Sequence, residues 1–170
     1  FSIQGPNTPA ATVYLDSALL VADHLTVADG AGFGMVLVGS AILEMTNGVL
    51  TRNRAPAHLG QNHARFLTTE DNDYSGNIDD RIHVGFWSTF ESGLHRWAPL
   101  HWFVYGDILP DGSNGRDISV PTGTQWRLAP GATVDLAEGV GVQVYGGEVA
   151  GPGTSDDPLL FRRAFERGGP

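Results

Sequence analysis

The sequence contains no cysteine and no lysine. The absence of cysteine excludes disulfides, thiolate metal sites and a cysteine nucleophile, and it leaves the redox compartment open. All ten basic residues are arginines and they face nineteen acidic residues, thirteen of them aspartate, so the net charge is −9. This charge argues against nucleic-acid binding, because affinity for phosphates comes from clustered basic residues. The composition is typical of halophilic proteins, whose excess negative charge is screened by salt, and a GC-rich genome explains it equally well.

Long hydrophobic runs are also missing. No stretch approaches the roughly 18 consecutive apolar residues of a membrane-spanning helix, so we do not expect an integral membrane protein. The first six residues lack the basic region and apolar run of a signal peptide. Because the chain starts with Phe1 and not with methionine, we expect that it has been processed or trimmed. Whether a leader was removed stays open.

Charged residues make up 17% of the chain, below the roughly 25% of an average domain, whereas glycine is abundant, at 23 of 170 residues. This balance favours short strands and tight turns over long helices, and the length fits a single domain. We predict an all-β protein with a jelly-roll or related β-sandwich fold, a single β-barrel of about eight or more short antiparallel strands. No internal repeat is evident. We further predict an N-terminal arm at 1–9, a surface loop at 146–158 and a flexible tail at 166–170.

The segments with strand character are short, and Gly, Pro, Asn or Asp bound them. They lie at 11–15, 33–44, 48–52, 65–69, 81–91, 101–109, 117–120, 124–128, 133–136, 140–145 and 159–165. In the clearest of them, Ile82 and Val84 alternate with His83 and Gly85, which predicts one buried face. The segment 15–28 is ambiguous, because its apolar residues recur at helical spacing but also fit a bent strand.

The segment 71–80 reproduces the first half of a calcium-binding loop, with alternating oxygen ligands and a glycine at the sixth position. Its candidate ligands are Asp71, Asp73, Ser75, Asn77 and Asp79. The twelfth position is Ile82 instead of the bidentate glutamate, so an EF-hand is excluded and only a looser Ca²⁺ site is conceivable. The alternative is a solvated acidic turn between strands. No other cofactor is expected.

Signatures of catalysis are missing. The sequence has no Gly-x-Ser-x-Gly elbow, no phosphate loop ending in Lys-Ser or Lys-Thr, and no dinucleotide-binding glycine motif between a strand and a helix. Six histidines invite a cupin-type metal site, but no His-x-His pair occurs to place two imidazoles on one strand face. We expect His101 to be a hydrogen-bonded structural histidine. Carboxylates such as Asp135 could form a hydrolytic pair, but the sequence does not give their separation in space. We therefore predict that the protein is not an enzyme.

An aromatic cluster occupies 86–105. Buried, such rings form a core between sheets; exposed, they make a sugar platform or a subunit contact. Trp87 lies opposite the core face of its predicted strand, and Trp97 lies in a loop-like stretch. We predict that these two rings are exposed and contact a ligand or partner.

The run DISVPTGTQWRLAPGATVDL at 117–136 looks like successive short strands of a jelly roll. With the lysine-free acidic composition and the small size, the chain resembles the single-jelly-roll major capsid proteins of tailless, membrane-containing icosahedral viruses of haloarchaea and Thermus. The resemblance is one of architecture, and no functional residue is carried over. It implies a structural virion protein that assembles with copies of itself and a second coat protein over an internal lipid membrane.

The arm at 1–9 and the segment 159–165 are candidate docking arms for such an assembly. Arg162 and Arg163 suit contact with an acidic neighbour, although an ordinary edge strand protected by its arginines fits equally well. The rival function is a secreted carbohydrate-binding module or receptor-binding head that holds a glycan on Trp87 or Trp97, with Ca²⁺ in 71–80. A cupin-type enzyme ranks third. The host, the assembly symmetry and the partner are not readable from the sequence.

Overall fold

The structure, a computed structural model, describes residues 10–86, 90–106 and 117–164. In these residues the regular secondary structure consists of β-strands and one short 3-10 helix, η1 (Ala64–Phe66). The all-β part of the prediction is therefore confirmed. The chain divides into two compact units, Phe1–His83 and Val84–Pro170.

The first unit is a set of strands that return to the same sheet after each coil of the chain. Its strands are β1 (Ala11–Asp16), β2 (Leu19–Asp23), β3 (Thr26–Ala28), β4 (Phe33–Val38), β5 (Ile42–Thr46), β6 (Val49–Thr51), β7 (Ala55–Gly60) and the start of β8 (Ile82–Phe86). Ala11 pairs with Phe33 and Phe33 with Ala55, each 22 residues later and each in parallel. The pairs β2–β5 and β3–β6 are also parallel, with Leu19 opposite Ile42 and Thr26 opposite Val49.

The second unit repeats this construction. Its strands after β8 are β9 (Gly93–Trp97), β10 (His101–Gly106), β11 (Ile118–Pro121), β12 (Thr124–Leu128), β13 (Thr133–Leu136), β14 (Val142–Tyr145), β15 (Glu148–Ala150) and β16 (Leu160–Arg163). Three parallel sets follow from the pairing: β10–β13–β16, β9–β12–β15 and β11–β14. The three strands of one coil thus contribute one strand to each set.

The predicted antiparallel jelly-roll barrel is wrong. The strands form parallel sheets in a β-solenoid of about six turns. The alternation of apolar and polar residues identified half-buried strands, but alternation alone carries no information on the direction of the neighbouring strand. The absence of an internal repeat was also a wrong reading. The structure repeats with each coil, although the side chains at equivalent positions differ too much to reveal it in the sequence.

The ambiguous segment 15–28 forms strands, so the helical alternative is wrong. Ser17 and His24 adopt positive φ angles of 50° and 57°, and these two residues turn the chain between β1, β2 and β3. At 65–69 the expected strand is replaced by η1, and β15 lies inside the expected surface loop 146–158. The arm 1–9 and the tail 166–170 lie outside the described residues.

Apolar side chains from successive coils stack on one another inside each unit. In the first unit Met35, Leu37 and Leu59 are fully buried. In the second unit the centre is aromatic, with the Trp97 ring centroid 4.7 Å from that of Trp102 and 4.8 Å from that of Trp126. Such close tilted and edge-to-face contacts add to the stabilisation from burial.

Buried asparagines join consecutive coils at a corner of the first unit. The Asn53 Oδ1 accepts a hydrogen bond from the Gly30 N–H at 3.0 Å, and its Nδ2 donates to the Val27 carbonyl at 3.0 Å. One coil later, Asn77 Oδ1 accepts from the Asn53 N–H at 2.9 Å, and its Nδ2 donates to the Leu50 carbonyl at 2.9 Å. These amides satisfy backbone groups that the corner takes out of the sheets.

We predict that Asn53→Ala destabilises the fold by about 3 kcal/mol, because it leaves several buried backbone groups without their hydrogen bonds. Urea unfolding followed by circular dichroism measures the loss. Gln125→Ala removes an exposed amide and serves as the control, with an expected change within about 0.5 kcal/mol. Equal effects of the two substitutions would contradict the structural role of Asn53.

Candidate functional site

Three ionisable side chains from consecutive coils meet in the second unit. The Asp135 Oδ2 lies 2.7 Å from the His101 Nε2, and its Oδ1 accepts a hydrogen bond from the Arg162 Nε at 2.8 Å. The Arg162 Nη2 lies 2.9 Å from the same His101 nitrogen. We call these three residues the Asp135 cluster.

Parallel register brings the Asp135 cluster together. Asp135 in β13 is aligned with Phe103 in β10 and with Arg162 in β16. Because Trp102 and Val104 are buried, the alternation along β10 turns His101 and Phe103 to the other face of the strand. His101 therefore shares that face with the aspartate. The side chains of His101 and Arg162 are 39% and 49% exposed, whereas that of Asp135 is 10% exposed, so the carboxylate is the buried centre.

The carboxylate of the Asp135 cluster is held in its ionised form. Burial alone would raise the pKa of Asp135, but the hydrogen bonds from His101 and Arg162 outweigh it, so the pKa lies below its usual value. At 2.7 Å from a carboxylate oxygen, the His101 Nε2 carries the proton and donates it to Asp135. The cluster is thus a charge-assisted link between three strands, with its histidine partly open to solvent.

A second cluster of the same composition lies in the first unit and is called the Asp79 cluster. The Asp79 Oδ1 and Oδ2 accept hydrogen bonds from the Arg81 Nε at 2.8 Å and Nη2 at 2.9 Å. The His83 Nε2 lies 3.0 Å from the Asp79 Oδ2. Burial raises the pKa of Asp79, but the bonds from Arg81 and His83 prevail, and the pKa lies well below the usual range. Each unit thus contains an aspartate held by one arginine and one histidine.

Aromatic rings pack against the Asp79 cluster. The Phe33 ring centroid lies 5.2 Å from that of His83 and 5.0 Å from that of His58. His58 is only 4% exposed. Burial lowers the pKa of His58 to about 4, and the nearby His83 lowers it further. His58 is therefore a neutral core side chain at physiological pH.

The predicted calcium ligands do not converge on one point. The Asp73 Oδ1 accepts a hydrogen bond from the Ser75 N–H at 2.9 Å, Asn77 serves the corner of the coil, and Asp79 belongs to its own cluster. Asp71 is exposed, with a φ of 62°. Among the residues that the structure describes, no group of three or more His, Asp or Glu side chains is arranged to hold a metal ion. The loop oxygens are used to shape a turn.

The predicted contact residues have different fates. Trp97 is fully buried in the aromatic centre of the second unit, so the expectation of an exposed ring is wrong for it. The alternating strand β9 turns its side chain inward, which the loop-like flanking sequence concealed. Trp87 lies outside the described residues. Arg162 belongs to the Asp135 cluster, and Arg163 is exposed.

His101 does have the hydrogen bond expected of it, but its partnership with Asp135 was not predicted. The two residues lie 34 positions apart. Only the parallel pairing of β10 with β13 brings them together, and no local motif signals that pairing. A search for aspartate, histidine and arginine on alternating strands would have found the residues without their geometry.

An open cleft of about 380 Å³ crosses β9, β12 and β15 in the second unit. Glycines line much of it, and Leu94, Gln125 and Glu148 stand in register on its three strands. The Glu148 Oε1 pairs with the Arg127 Nη2 at 2.9 Å. The cleft therefore offers exposed backbone, one amide and one carboxylate.

Comparisons with known proteins identify no relative: no family model, curated protein or solved structure matches the chain. Within the described residues, no helix is long and apolar enough to cross a membrane. The resemblance to jelly-roll capsid proteins depended on an antiparallel barrel, and the parallel solenoid removes that basis.

We predict that Asp135→Asn costs about 1 to 2 kcal/mol at pH 7, because it leaves the charges of Arg162 and His101 without their counter-ion. The folded-state pKa of Asp135 is lowered, so its contribution is present above about pH 4 and is lost as the pH falls through the folded-state pKa. Urea unfolding between pH 7 and pH 2 measures this. The wild type should lose stability on acidification more steeply than the variant. Asp156→Asn, on an exposed loop, is the control and should follow the wild-type curve.

A second pH effect is predicted for His58. Its folded-state pKa of about 4 lies below the unfolded value of about 6.5, so the unfolded state binds the proton first. Stability should be full above about pH 6.5 and should fall by about 3 kcal/mol as the pH drops towards 4. His58→Phe should flatten the unfolding free energy across this window. His24→Asn removes an exposed histidine and should leave the slope unchanged. A wild-type slope retained in His58→Phe would contradict this assignment.

Proposed function

We propose that the protein is a structural β-solenoid whose role is to assemble with copies of itself. The observation that carries the proposal is the use of its ionisable residues. In the Asp135 cluster the carboxylate, histidine and arginine come from three consecutive coils and bind one another. The corner amides Asn53 and Asn77 likewise join one coil to the next. The polar chemistry of the described residues serves cohesion.

The electrostatics of the two clusters support a structural role over turnover. A general acid or base needs a pKa near the working pH. The Asp79 and Asp135 carboxyls instead have lowered pKa values, so they stay ionised and act as fixed anchors for arginine. His58 is held neutral inside the core. These groups are tuned away from proton transfer at neutral pH.

The solenoid itself supports association. A strand at the edge of a sheet carries backbone N–H and C=O groups that can pair with another chain. A closed barrel removes such edges, whereas stacked coils keep them at their first and last turns. The net charge of −9 opposes self-association at low ionic strength, and salt screens that repulsion.

The test is the mass of the purified protein in solution. We expect light scattering and sedimentation velocity to give oligomers that grow with protein concentration, and more of them in molar salt than at physiological ionic strength. A strictly monomeric protein under both conditions would refute the proposal. So would turnover of a substrate that is lost in His101→Gln while the oligomers persist.

Glycan binding is a second candidate, supported by the open cleft across β9, β12 and β15. Its volume of about 380 Å³ falls within the range of small-molecule sites, and its glycines leave the backbone accessible. If the cleft binds a saccharide, a glycan array should show binding that Gln125→Ala weakens. Gln143→Ala, which removes another exposed amide outside the cleft, should leave it unchanged.

A further inference from the structure

The last coil of the second unit has open sheet edges. Among the described residues, β14, β15 and β16 each pair along one side only, with β11, β12 and β13. In the first unit, β1, β2 and β3 likewise pair on one side only, with β4, β5 and β6. All six pairings are parallel. A further coil placed on either edge would therefore continue the same ladder.

The core rows of the last coil are uncovered at this edge. Val144 is aligned with Val120, yet Val144 is 49% exposed and Val120 is fully buried. Phe161 is aligned with the fully buried Val134 and is 43% exposed, although its ring contacts Trp126 at a centroid distance of 5.9 Å. The side chains that continue the interior thus end as an apolar surface, which is the kind of surface that a neighbouring chain covers.

The two edges carry opposite charge. In β16, Arg162 and Arg163 are adjacent, and Arg163 forms no ion pair with any described residue. The first coil ends its strands in acidic residues: Asp16 closes β1 and Asp23 closes β2. Residues 10–30 contain no arginine. The last coil therefore offers a cation to an edge of the first coil that lacks one.

These charges select the partner. Two β16 edges would bring arginines together, and two first coils would bring aspartates together, and both arrangements are repulsive. An arginine against a carboxylate one coil further on already occurs within the chain, where Arg127 in β12 pairs with Glu148 in β15 at 2.9 Å. The same polarity would join Arg163 of one copy to Asp16 of the next.

We propose that the last coil of one copy stacks on the first coil of a second copy, head to tail, with β16 lying parallel to β1 and Arg163 opposite Asp16. This inference rests on the proposed function and names the surface by which the copies assemble. The joint covers Val144 and Phe161 and completes the open hydrogen-bonding edges. Because it joins different surfaces and leaves both outer edges of the pair free, the assembly is open and grows by adding further copies.

Charge reversal tests the joint. Arg163→Asp alone and Asp16→Arg alone should each raise the protein concentration needed for assembly by at least about tenfold, because each places like charges at the joint. Mixing the two variants should restore assembly, since each variant's altered edge then meets an edge of opposite charge on the other. Sedimentation velocity measures all three samples. Both residues are exposed, and circular dichroism verifies that each variant is folded.

Two further substitutions separate this joint from a lateral contact. Val144→Asp should weaken assembly by placing a charge on the open core row, whereas Ile42→Asp should not, although Ile42 is 42% exposed on β5. Oligomers that survive both charge reversals would overturn the head-to-tail joint and leave the proposed function standing, as would sensitivity to Ile42→Asp alone. A wild-type protein that never assembles would overturn both.

Discussion

Parallel pairing between consecutive coils is the constraint on which the rest of the structure depends. A parallel ladder requires the chain to travel around a full circuit before it pairs with itself, so every contact within a sheet joins residues more than twenty positions apart. The strands β2 and β3 are short and would be marginal alone. Stacking supplies their neighbours and a continuous interior, as in other repeat architectures in which each repeat is stabilised by the next.

The corners are where this architecture needs specific residues. A corner removes backbone groups from the sheets, and in the first unit Asn53 and Asn72 return hydrogen bonds to them from inside the coil. Acidic residues do similar work at exposed corners, where the Asp29 carboxylate holds the Arg52 guanidinium of the following coil at 2.7 Å. The aspartate-rich composition thus has a structural use in addition to any effect on solubility.

Local structure was readable from the sequence and long-range structure was not. The strands β12 and β13 begin and end where the alternation and the flanking turns placed them. The direction of pairing was not readable, because a half-buried strand looks the same beside a parallel or an antiparallel neighbour. The error then spread to the site: Asp135 and His101 were both noticed, yet only parallel pairing puts them in contact. Trp97 was misjudged because its flanks resemble a loop, although β9 buries its ring.

The spacing of coils in the second unit shows where the chain tolerates extra length. His101 pairs with Thr133, 32 residues later, and Gly93 with Thr124, 31 residues later, whereas Ile118 pairs with Val142 after only 24. The additional residues fall between β10 and β11, and the flanking strands nevertheless keep their parallel register. Length at this corner is thus decoupled from the ladder, so evolution or an engineer can graft a foreign peptide there and leave the stacking of the coils intact.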